Sequence, residues 1–366
     1  MRSRPTDIAI IGGGPAGSAA ALTLRCRFPE LKVTVFEAGG HTGFKPGEVL
    51  PAAAGELLGA LGVRDRFEAE DFPRGHALAS AWDAGEAVER QAIFSARGAD
   101  WHLDRSRFDR LLLDRAEEVG AEVHREMSVR RVEREEGGWR LSLSGDRECH
   151  ARMLAWTTGR RWNLARSLGA SVVQEAPLVA HARLFEGEGG PDTAPMTIEA
   201  RPEGWWYSVG VPGGRRVVAC LSDPETSRDL NLDGSGWAER LALTRHILAA
   251  GAPIATARRA AGTAVLEPAC GEGWVAAGDT LLAADPLSSR GIVHALRSGT
   301  LAAFAGADML SGKGEIAAAR LAAIHRAGLS QYRARLVEHY KQSAFAGAPF
   351  WDRRATPVAE RVSRSD

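Results

Sequence analysis

Apolar residues near the N-terminus follow first the pattern of a buried strand and then that of a helix. Residues 8–11 are all apolar, glycines follow at 12–14, and residues 16–27 favour a helix. A second apolar run, LKVTVFE, ends at Glu37. Short apolar runs bounded by turn residues are typical of strands buried in a parallel sheet. The pattern therefore predicts a strand, a turn, a helix and a second strand over residues 1–40.

Further along the chain, helical and strand periods alternate. Apolar residues at 108, 111, 112, 116 and 119 predict an amphipathic helix within 104–123, capped by Asp104 or Ser106. Residues 128–145 alternate around Gly137 and Gly138, which predicts a β-hairpin. The other predicted elements are a helix at 52–63, strands within 73–100, 151–160, 170–222 and 273–279, and helices at 235–250, 289–309 and 315–345. We therefore expect an α/β domain interrupted by a mainly β region.

Composition narrows the classes of function. The chain has 366 residues, enough to bury a full core, and its formal net charge is zero without a basic stripe, so nucleic acid is not an expected partner. No stretch of 18 apolar residues occurs, so no membrane span is predicted. The four cysteines are far apart and lack metal-ligand spacing, which disfavours a disulfide framework and predicts no metal site. A reducing cytoplasm is the expected location.

The glycines between the first strand and the first helix form a GxGxxG motif. Gly12 permits the tight turn, Gly14 lets backbone N–H groups approach a pyrophosphate, and Gly17 lets the helix pack closely on the sheet. The helix N-terminus favours the phosphate charge. Glu37 follows about 20 residues later and is suited to accept both ribose hydroxyls. The motif predicts a dinucleotide site, of which the other members are Pro15, Ala16 and Ala38.

A second segment, WVAAGDTLLAADPLSSRGI at 274–292, has Gly-Asp at a strand end followed by Asp-Pro and a glycine. With the first motif it resembles FAD-dependent monooxygenases of the para-hydroxybenzoate hydroxylase type, over nearly the whole chain. The resemblance implies that Gly278 and Asp279 bind the ribityl chain of FAD. It also implies that Pro286, Gly291 and Ile292 lie beside the isoalloxazine ring, where a helix N-terminus stabilises the charge of reduced flavin.

The pattern and the resemblance together predict an α/β fold with a Rossmann-like FAD-binding domain, an inserted β-rich substrate domain and a C-terminal helical segment. The expected boundaries are 1–72, 101–165 and 262–312 for the FAD-binding domain, 73–100 and 166–261 for the substrate domain, and 313–366 for the tail. The tail arginines are expected on a solvated helix face, with a partner-docking surface as the alternative; they include Arg320, Arg326, Arg333 and Arg335.

Three shorter motifs extend the resemblance. WHLDRSRFDRLL matches the family segment whose arginine contacts FAD, here Arg105. AWTTGR at 155–160 matches a strand end at which the family has DATGR, with Trp156 in place of the expected aspartate. FKPGEVLP matches the loop that straps FAD in halogenases, so the resemblance places Gly47 and Glu48 between the flavin and substrate sites.

The motifs also resemble the tryptophan-halogenase-like branch, and within it the flavoprotein hydroxylases that modify tryptophan in a partner protein to build tryptophylquinone cofactors. GWWYSVGVPGGRR and FWDRR add to this likeness. Halogenases carry a Trp-x-Trp-x-Ile-Pro signature and a lysine that activates hypohalous acid. This chain has Trp205-Trp206-Tyr207 without that signature, and no lysine lies between Pro46 and Gly312. The resemblance therefore favours hydroxylation over halogenation.

The catalytic candidates are Lys45, Glu48, Tyr207 and Arg290. Lys45 would stabilise a flavin hydroperoxide or bind a substrate carboxylate, and Arg290 would stabilise developing negative charge; for both, simple solvation is the alternative. Tyr207 is a candidate hydrogen-bond donor to the substrate.

Several aromatic residues have both a functional and a structural interpretation. Trp205 and Trp206 would form an aromatic wall for a planar substrate, with sheet core as the alternative. For Trp82 and Trp101 the core is favoured. His41, His76 and His181 are candidates for a general base, among which the sequence does not choose.

The expected reaction is hydroxylation of an indole or phenol ring through a flavin C4a-hydroperoxide, with O₂ as co-substrate. The substrate is an aromatic small molecule or a tryptophan-bearing partner protein. Because no second GxGxxG unit is present, electrons would come from transiently bound NAD(P)H or from a separate flavin reductase. The alternatives are a flavin-dependent reductase of the geranylgeranyl-reductase kind, a flavin-dependent halogenase and a non-catalytic maturation factor.

Overall fold

A computed structural model describes residues 6–82, 88–92, 98–186, 195–229 and 252–357. The helix predicted at 235–250 lies outside these residues. No helix in the described ranges is long and apolar enough to cross a membrane.

The first strand lies at the centre of a mainly parallel sheet. β1 (Thr6–Ile11) is wholly buried and runs parallel to β2 (Val33–Phe36) on one side and to β10 (Glu148–Trp156) on the other. The other strands of this sheet are β7 (Glu122–His124), β8 (Val129–Glu135), β9 (Gly138–Leu143), β18 (Cys270–Gly271) and β19 (Trp274–Ala276). The order β18-β19-β10-β1-β2-β7 brings the carboxyl ends of β1, β2 and β10 to one edge, which is where α/β sheets bind their ligands.

A second sheet is formed by the region predicted as a β-rich insertion. Its strands are β4 (Ala77–Ala81), β5 (Val88–Gln91), β12 (Val179–Glu186), β13 (Met196–Arg201), β14 (Gly204–Val211), β15 (Arg215–Ser222) and β16 (Ala255–Ala260). Their order is β16-β12-β15-β14-β13-β4-β5. β4, from the stretch 73–100 in which strands were predicted, pairs with β13 and so belongs to this second sheet. The domain boundaries stay predictions.

Two small sheets join these parts. β3 (Val49–Leu50) pairs with β6 (Trp101–His102), which ties the loop at 40–51 to the segment before the amphipathic helix. β11 (Ser171–Gln174), β17 (Ala264–Glu267) and β20 (Leu282–Ala283) form a three-stranded sheet beside the second motif.

The helices of the described residues are α1 (Pro15–Arg27), α2 (Ala54–Ala60), α3 (Arg64–Ala69), α4 (Arg105–Glu118), α5 (Pro224–Asp229), α6 (Gly291–Leu310), α7 (Gly314–Lys341) and α8 (Pro349–Ala355). Asp104, rather than Ser106, caps α4, since its side chain accepts from the N–H groups of Ser106 and Arg107. Helices α1 and α6 approach closely at Gly299, because this residue has no side chain. A Cβ there would lie only 2.1 Å from the Ala16 carbonyl oxygen.

The C-terminal helices pack into the molecule along one side. Tyr340 of α7 and Trp351 of α8 are each 1% exposed and belong to the core of the second sheet. Arg333 pairs with the buried carboxylate of Glu175, Nη2 to Oε1 at 2.5 Å. The other arginines named in the tail are exposed, as predicted; they are Arg320, Arg326 and Arg335. The α/β fold, the β-rich insertion and the helical C-terminal segment are all confirmed.

Candidate active site

The glycine turn after β1 is packed against the end of β10. Gly12 has φ of +109°, and a Cβ there would lie 2.4 Å from the Thr157 carbonyl oxygen. A Cβ at Gly17 would lie 1.8 Å from the Gly12 carbonyl oxygen. At Gly14, by contrast, a Cβ would meet no atom within 4 Å, so open space lies beside the N-terminus of α1. The two outer glycines are required by the turn, and the middle one leaves room for a ligand.

Glu37 lies at the same edge of the sheet, directly after β2. Its Oε2 accepts from the Gly13 N–H at 2.6 Å, and its Oε1 accepts from the Gly39 N–H at 2.8 Å. Each carboxylate oxygen has a second lone pair, so hydrogen bonds to ribose hydroxyls are compatible with these contacts. Ala38 is exposed beside it.

The second motif contacts the first directly. Gly278 has φ of +65°, and a Cβ there would lie 2.7 Å from the Cβ of Ala16. The Gly278 N–H donates to Ser298 Oγ at 2.8 Å, which fixes the strand end against α6. Two segments that the sequence separates widely therefore form one site.

Asp279 follows Gly278 directly in the second motif. Its side chain is half-buried. Burial raises the pKa of Asp279, and the charges of Arg160 and Arg105 oppose that rise. Arg160, the last residue of AWTTGR, lies 3.7 Å from Asp279 (Nε to Oδ2) and donates to the Ala284 carbonyl at 2.9 Å. The sequence analysis identified this motif but assigned no role to Arg160.

Arg105 connects helix α4 to the loop at 40–51. Its Nη1 donates to the carbonyl oxygens of Pro46 and Gly47, both at 3.4 Å. Its Nη2 lies 3.2 Å from Oδ1 of Asp109, one helical turn later. The Asp109 side chain is only 3% exposed. The sequence signal for this pair was the i, i+4 spacing of Arg and Asp on a predicted helix, which was not used.

Lys45 is directed toward the same buried carboxylate. Its Nζ lies 3.2 Å from Asp109 Oδ2 and 3.0 Å from His41 Nδ1. Burial, and then the charge of Lys45, lowers the pKa of His41. His41 is therefore neutral near neutral pH, and its Nδ1 accepts from the lysine ammonium. Its Nε2 is buried and has no hydrogen-bond partner in the part of the chain that is described.

Glu48 joins this loop to the second sheet. Its Oε2 accepts from the Tyr207 hydroxyl at 3.1 Å, whereas Oε1 is buried without a hydrogen-bond partner among the described residues. Burial raises the pKa of Glu48, and Tyr207 and the charge of Arg105 oppose the rise. Burial and Glu48 together raise the pKa of Tyr207 well above its ordinary value. The structure thus brings two of the predicted catalytic residues into contact.

The two tryptophans of β14 lie on opposite faces of the sheet, because side chains alternate along a strand. Trp205 shares its face with Tyr207, at 6.1 Å between ring centroids. Trp205 and Trp206 are 2% and 0% exposed, and their role toward a substrate stays a prediction. Trp82 lies 6.3 Å from Trp205 between centroids, on the same face.

The turn before α6 carries the remaining predicted flavin contacts. Pro286 and Gly291 are exposed, and a Cβ at Gly291 would meet nothing within 4 Å. Ile292 is 8% exposed. Arg290 is exposed beside Arg297 and Arg335, and partial burial followed by these two charges lowers the pKa of Arg290.

The other candidates lie apart from this site or in cores. His181 is 3% exposed and hydrogen-bonds Ser227 Oγ at 2.5 Å, while His76 is exposed. Trp101 packs edge-on against Phe67. No group of three or more metal-ligating side chains occurs in the described ranges.

Comparison with known proteins agrees with this geometry. Residues 5–182 match the family model described as an FAD binding domain. LodB of Marinomonas mediterranea, whose name describes an FAD-dependent oxidoreductase, is 27% identical over 303 residues, which cover 80% of this chain and 82% of LodB. Six further curated relatives are all named as halogenating enzymes.

Two solved structures have the same fold. The myxobacterial chondrochloren halogenase CndH superposes with a TM-score of 0.85 at 21% identity, covering 98% of this chain and 88% of CndH. The peptidyl tryptophan dihydroxylase QhpG has a TM-score of 0.81 at 22% identity, covering 96% and 79%. Fold, site and matched domain define the class: the chain is an FAD-dependent oxidoreductase.

The residues present fit FAD. Open space at Gly14 and Gly291 lies at two helix N-termini, where anionic groups of a ligand are favoured. Acidic side chains suited to hydroxyl groups stand at both motifs, Glu37 at one and Asp279 at the other. These groups would hold the diphosphate, ribose and ribityl portions of the cofactor.

Proposed function

We propose that this chain is a monooxygenase that uses FAD to hydroxylate an electron-rich aromatic ring, with the tryptophan side chain of a partner protein as its substrate class. The observation that carries the proposal is the 3.1 Å hydrogen bond between Tyr207 and Glu48, which connects the loop at 40–51 (the strap loop) to the second sheet. The absence of any lysine between Pro46 and Gly312 supports hydroxylation over halogenation.

The name of one structural neighbour supports the substrate class. QhpG is named as a peptidyl tryptophan dihydroxylase, whereas the name of LodB gives an FAD-dependent oxidoreductase without a substrate. CndH, by contrast, is a halogenase, so the fold itself is compatible with both reactions. The choice between them therefore rests on the side chains of this chain.

Bound FAD, once reduced, supplies the electrons with which O₂ gives one oxygen atom to the ring and the other to water. NAD(P)H or a separate flavin reductase would provide those electrons. The chain's own residues bind and orient. The N-terminus of α1 binds the diphosphate, Glu37 the ribose and Asp279 the ribityl chain, while Arg105 holds the strap loop through the carbonyls of Pro46 and Gly47.

Glu48 and Tyr207 would hold and donate a proton beside the aromatic ring of the substrate. Burial raises the pKa of Glu48, so the carboxyl retains a proton more readily than an exposed glutamate. The Tyr207 hydroxyl can then donate its hydrogen to the oxygen that forms on the substrate, while the protonated Glu48 carboxyl donates to the Tyr207 hydroxyl oxygen. Trp205 and the sheet around it exclude water from this position.

The proposal is tested by product analysis with halide present. Purified protein loaded with FAD, NADH and a general flavin reductase would be supplied with indole, phenol or a tryptophan-containing peptide in chloride buffer. By mass spectrometry we expect oxygenated product and no chlorinated product. With Tyr207→Phe we expect a much smaller amount of the oxygenated product. Chlorinated product would overturn the hydroxylation proposal.

A further inference from the structure

The short turn before helix α6, at the end of the second motif, is capped by a buried carboxylate. Asp285 is 3% exposed, and its Oδ1 accepts from the Leu287 N–H at 3.0 Å, which caps the short turn Pro286–Ser288. Its Oδ2 accepts from the Tyr340 hydroxyl at 2.8 Å. Tyr340 is itself 1% exposed and comes from the last turns of α7, so one C-terminal side chain reaches the turn directly.

A second tyrosine of α7 holds the backbone of the same residue. The Asp285 N–H donates to the Tyr332 hydroxyl oxygen at 2.8 Å. That hydroxyl also shares a 2.5 Å hydrogen bond with Thr263 Oγ1. Two hydroxyl groups from one helix therefore contact the side chain and the main chain of Asp285.

The hydrogen bond from Tyr340 affects the ionisation of the Asp285 carboxylate. Burial raises the pKa of Asp285, and the Leu287 N–H, the Tyr340 hydroxyl and the charges of Arg354 and Arg160 oppose the rise. A buried carboxylate that loses a donor is left with an uncompensated desolvation penalty. The ionised form of Asp285, and with it the cap of the turn, thus depends on Tyr340.

The outer side of the turn faces solvent. Ser289 has a left-handed backbone with φ of 47°, which is uncommon for a residue with a side chain. Pro286 is exposed, and open space surrounds the Cβ position of Gly291. Besides the short-range hydrogen bonds from Ser288 to the Asp285 carbonyl, the contacts of Asp285 are therefore the buried ones that hold this turn.

We propose that Tyr340 and Tyr332 are positioning residues for FAD: they hold the turn at 285–291 in the conformation that binds the flavin ring system. The proposal rests on the proposed flavin contacts of Pro286 and Gly291. It also gives helix α7 a role in the cofactor site, since both hydroxyl contacts to Asp285 come from this helix.

The test compares Tyr340→Phe with Phe350→Leu in the full chain. Phe350 packs 6.1 Å from Tyr340 between ring centroids, so its truncation disturbs the same core but removes none of the hydrogen bonds of Asp285. Two readouts are needed: hydrogen exchange of the amides at 285–291 without cofactor, and FAD affinity by fluorescence titration.

For Tyr340→Phe we expect faster exchange at Asp285 and Leu287, and about tenfold weaker FAD binding, because the binding-competent turn is less populated. For Phe350→Leu we expect lower thermal stability with neither change. Equal effects of both variants, or unchanged exchange and affinity in Tyr340→Phe, would overturn the positioning role.

If Tyr340→Phe does not fold, Tyr332→Phe replaces it, with faster exchange at Asp285 as the expected result and unchanged exchange as the contrary one. Neither readout involves oxygenation. The hydroxylation proposal can therefore fail while the positioning role stands, and the reverse.

Discussion

The Tyr207 hydroxyl donates to Glu48 Oε2 at 3.1 Å, and this bond links a loop at the FAD-binding edge to the middle of the second sheet. Tyr207→Phe should destabilise the protein by about 1–3 kcal/mol, because it leaves the buried Glu48 carboxyl without its side-chain donor. Urea unfolding would measure the loss. In a Glu48→Leu background the same substitution should cost clearly less. Equal costs in both backgrounds would show that the bond does not contribute.

Glu48 predicts a specific pH dependence. Burial raises the pKa of Glu48 above its ordinary value of 4.5. At a pH between 4.5 and the raised pKa, the native state therefore keeps a proton that the unfolded state has released. Stability from this group therefore falls with rising pH. Glu48→Gln should gain stability relative to the natural protein as the pH rises above 4.5, as measured by urea unfolding at several pH values. A constant difference across that range would contradict the assignment.

The glycine turn offers a matched pair of substitutions. Gly14→Ala adds a methyl group where no atom lies within 4 Å, so folding should be nearly unaffected while FAD affinity falls at least about tenfold, since the methyl group obstructs the pyrophosphate. Gly17→Ala instead places a Cβ 1.8 Å from a carbonyl oxygen and should lower thermal stability as well. FAD titration and thermal melts separate the two effects. Normal FAD affinity in Gly14→Ala would be the contrary result.

His294, in the first turn of α6, predicts a loss of stability in acid. Burial lowers its pKa from 6.5 to about 4. Between these values the unfolded state binds a proton that the native state does not, so stability falls as the pH drops through that window, by on the order of 3 kcal/mol in full. His294→Gln should flatten this slope in urea unfolding at several pH values. An unchanged slope would assign the effect to other groups.

The parts of the site that follow from local sequence were predictable. Gly12, Gly14, Gly17 and Glu37 belong to one strand–turn–helix–strand unit, in which spacing alone places each residue at the carboxyl edge of the sheet. Hydrophobic periodicity likewise predicted the long helices and the β-rich insertion.

What could not be predicted depends on contacts between distant segments. Asp285 and Tyr340 meet only because α7 packs beside the second motif, and neither residue carries a periodic signal for that contact. Asp109 pairs with Arg105 on its own helix, which the i, i+4 spacing signals, but its contact with Lys45 of the loop at 40–51 has no local signal. For Trp205 and Trp206, alternation along β14 dictates opposite faces of the sheet, but the sequence does not say which face meets Glu48.

The most direct test of the account is the origin of the oxygen atom in the product. Purified protein with FAD, NADH and a general flavin reductase would act on a tryptophan-containing peptide, indole or phenol under ¹⁸O₂ in ordinary water. The account predicts that the hydroxylated ring carries label from ¹⁸O₂. A reduced or dehydrogenated product without label would contradict it and would favour a flavin-dependent reductase instead.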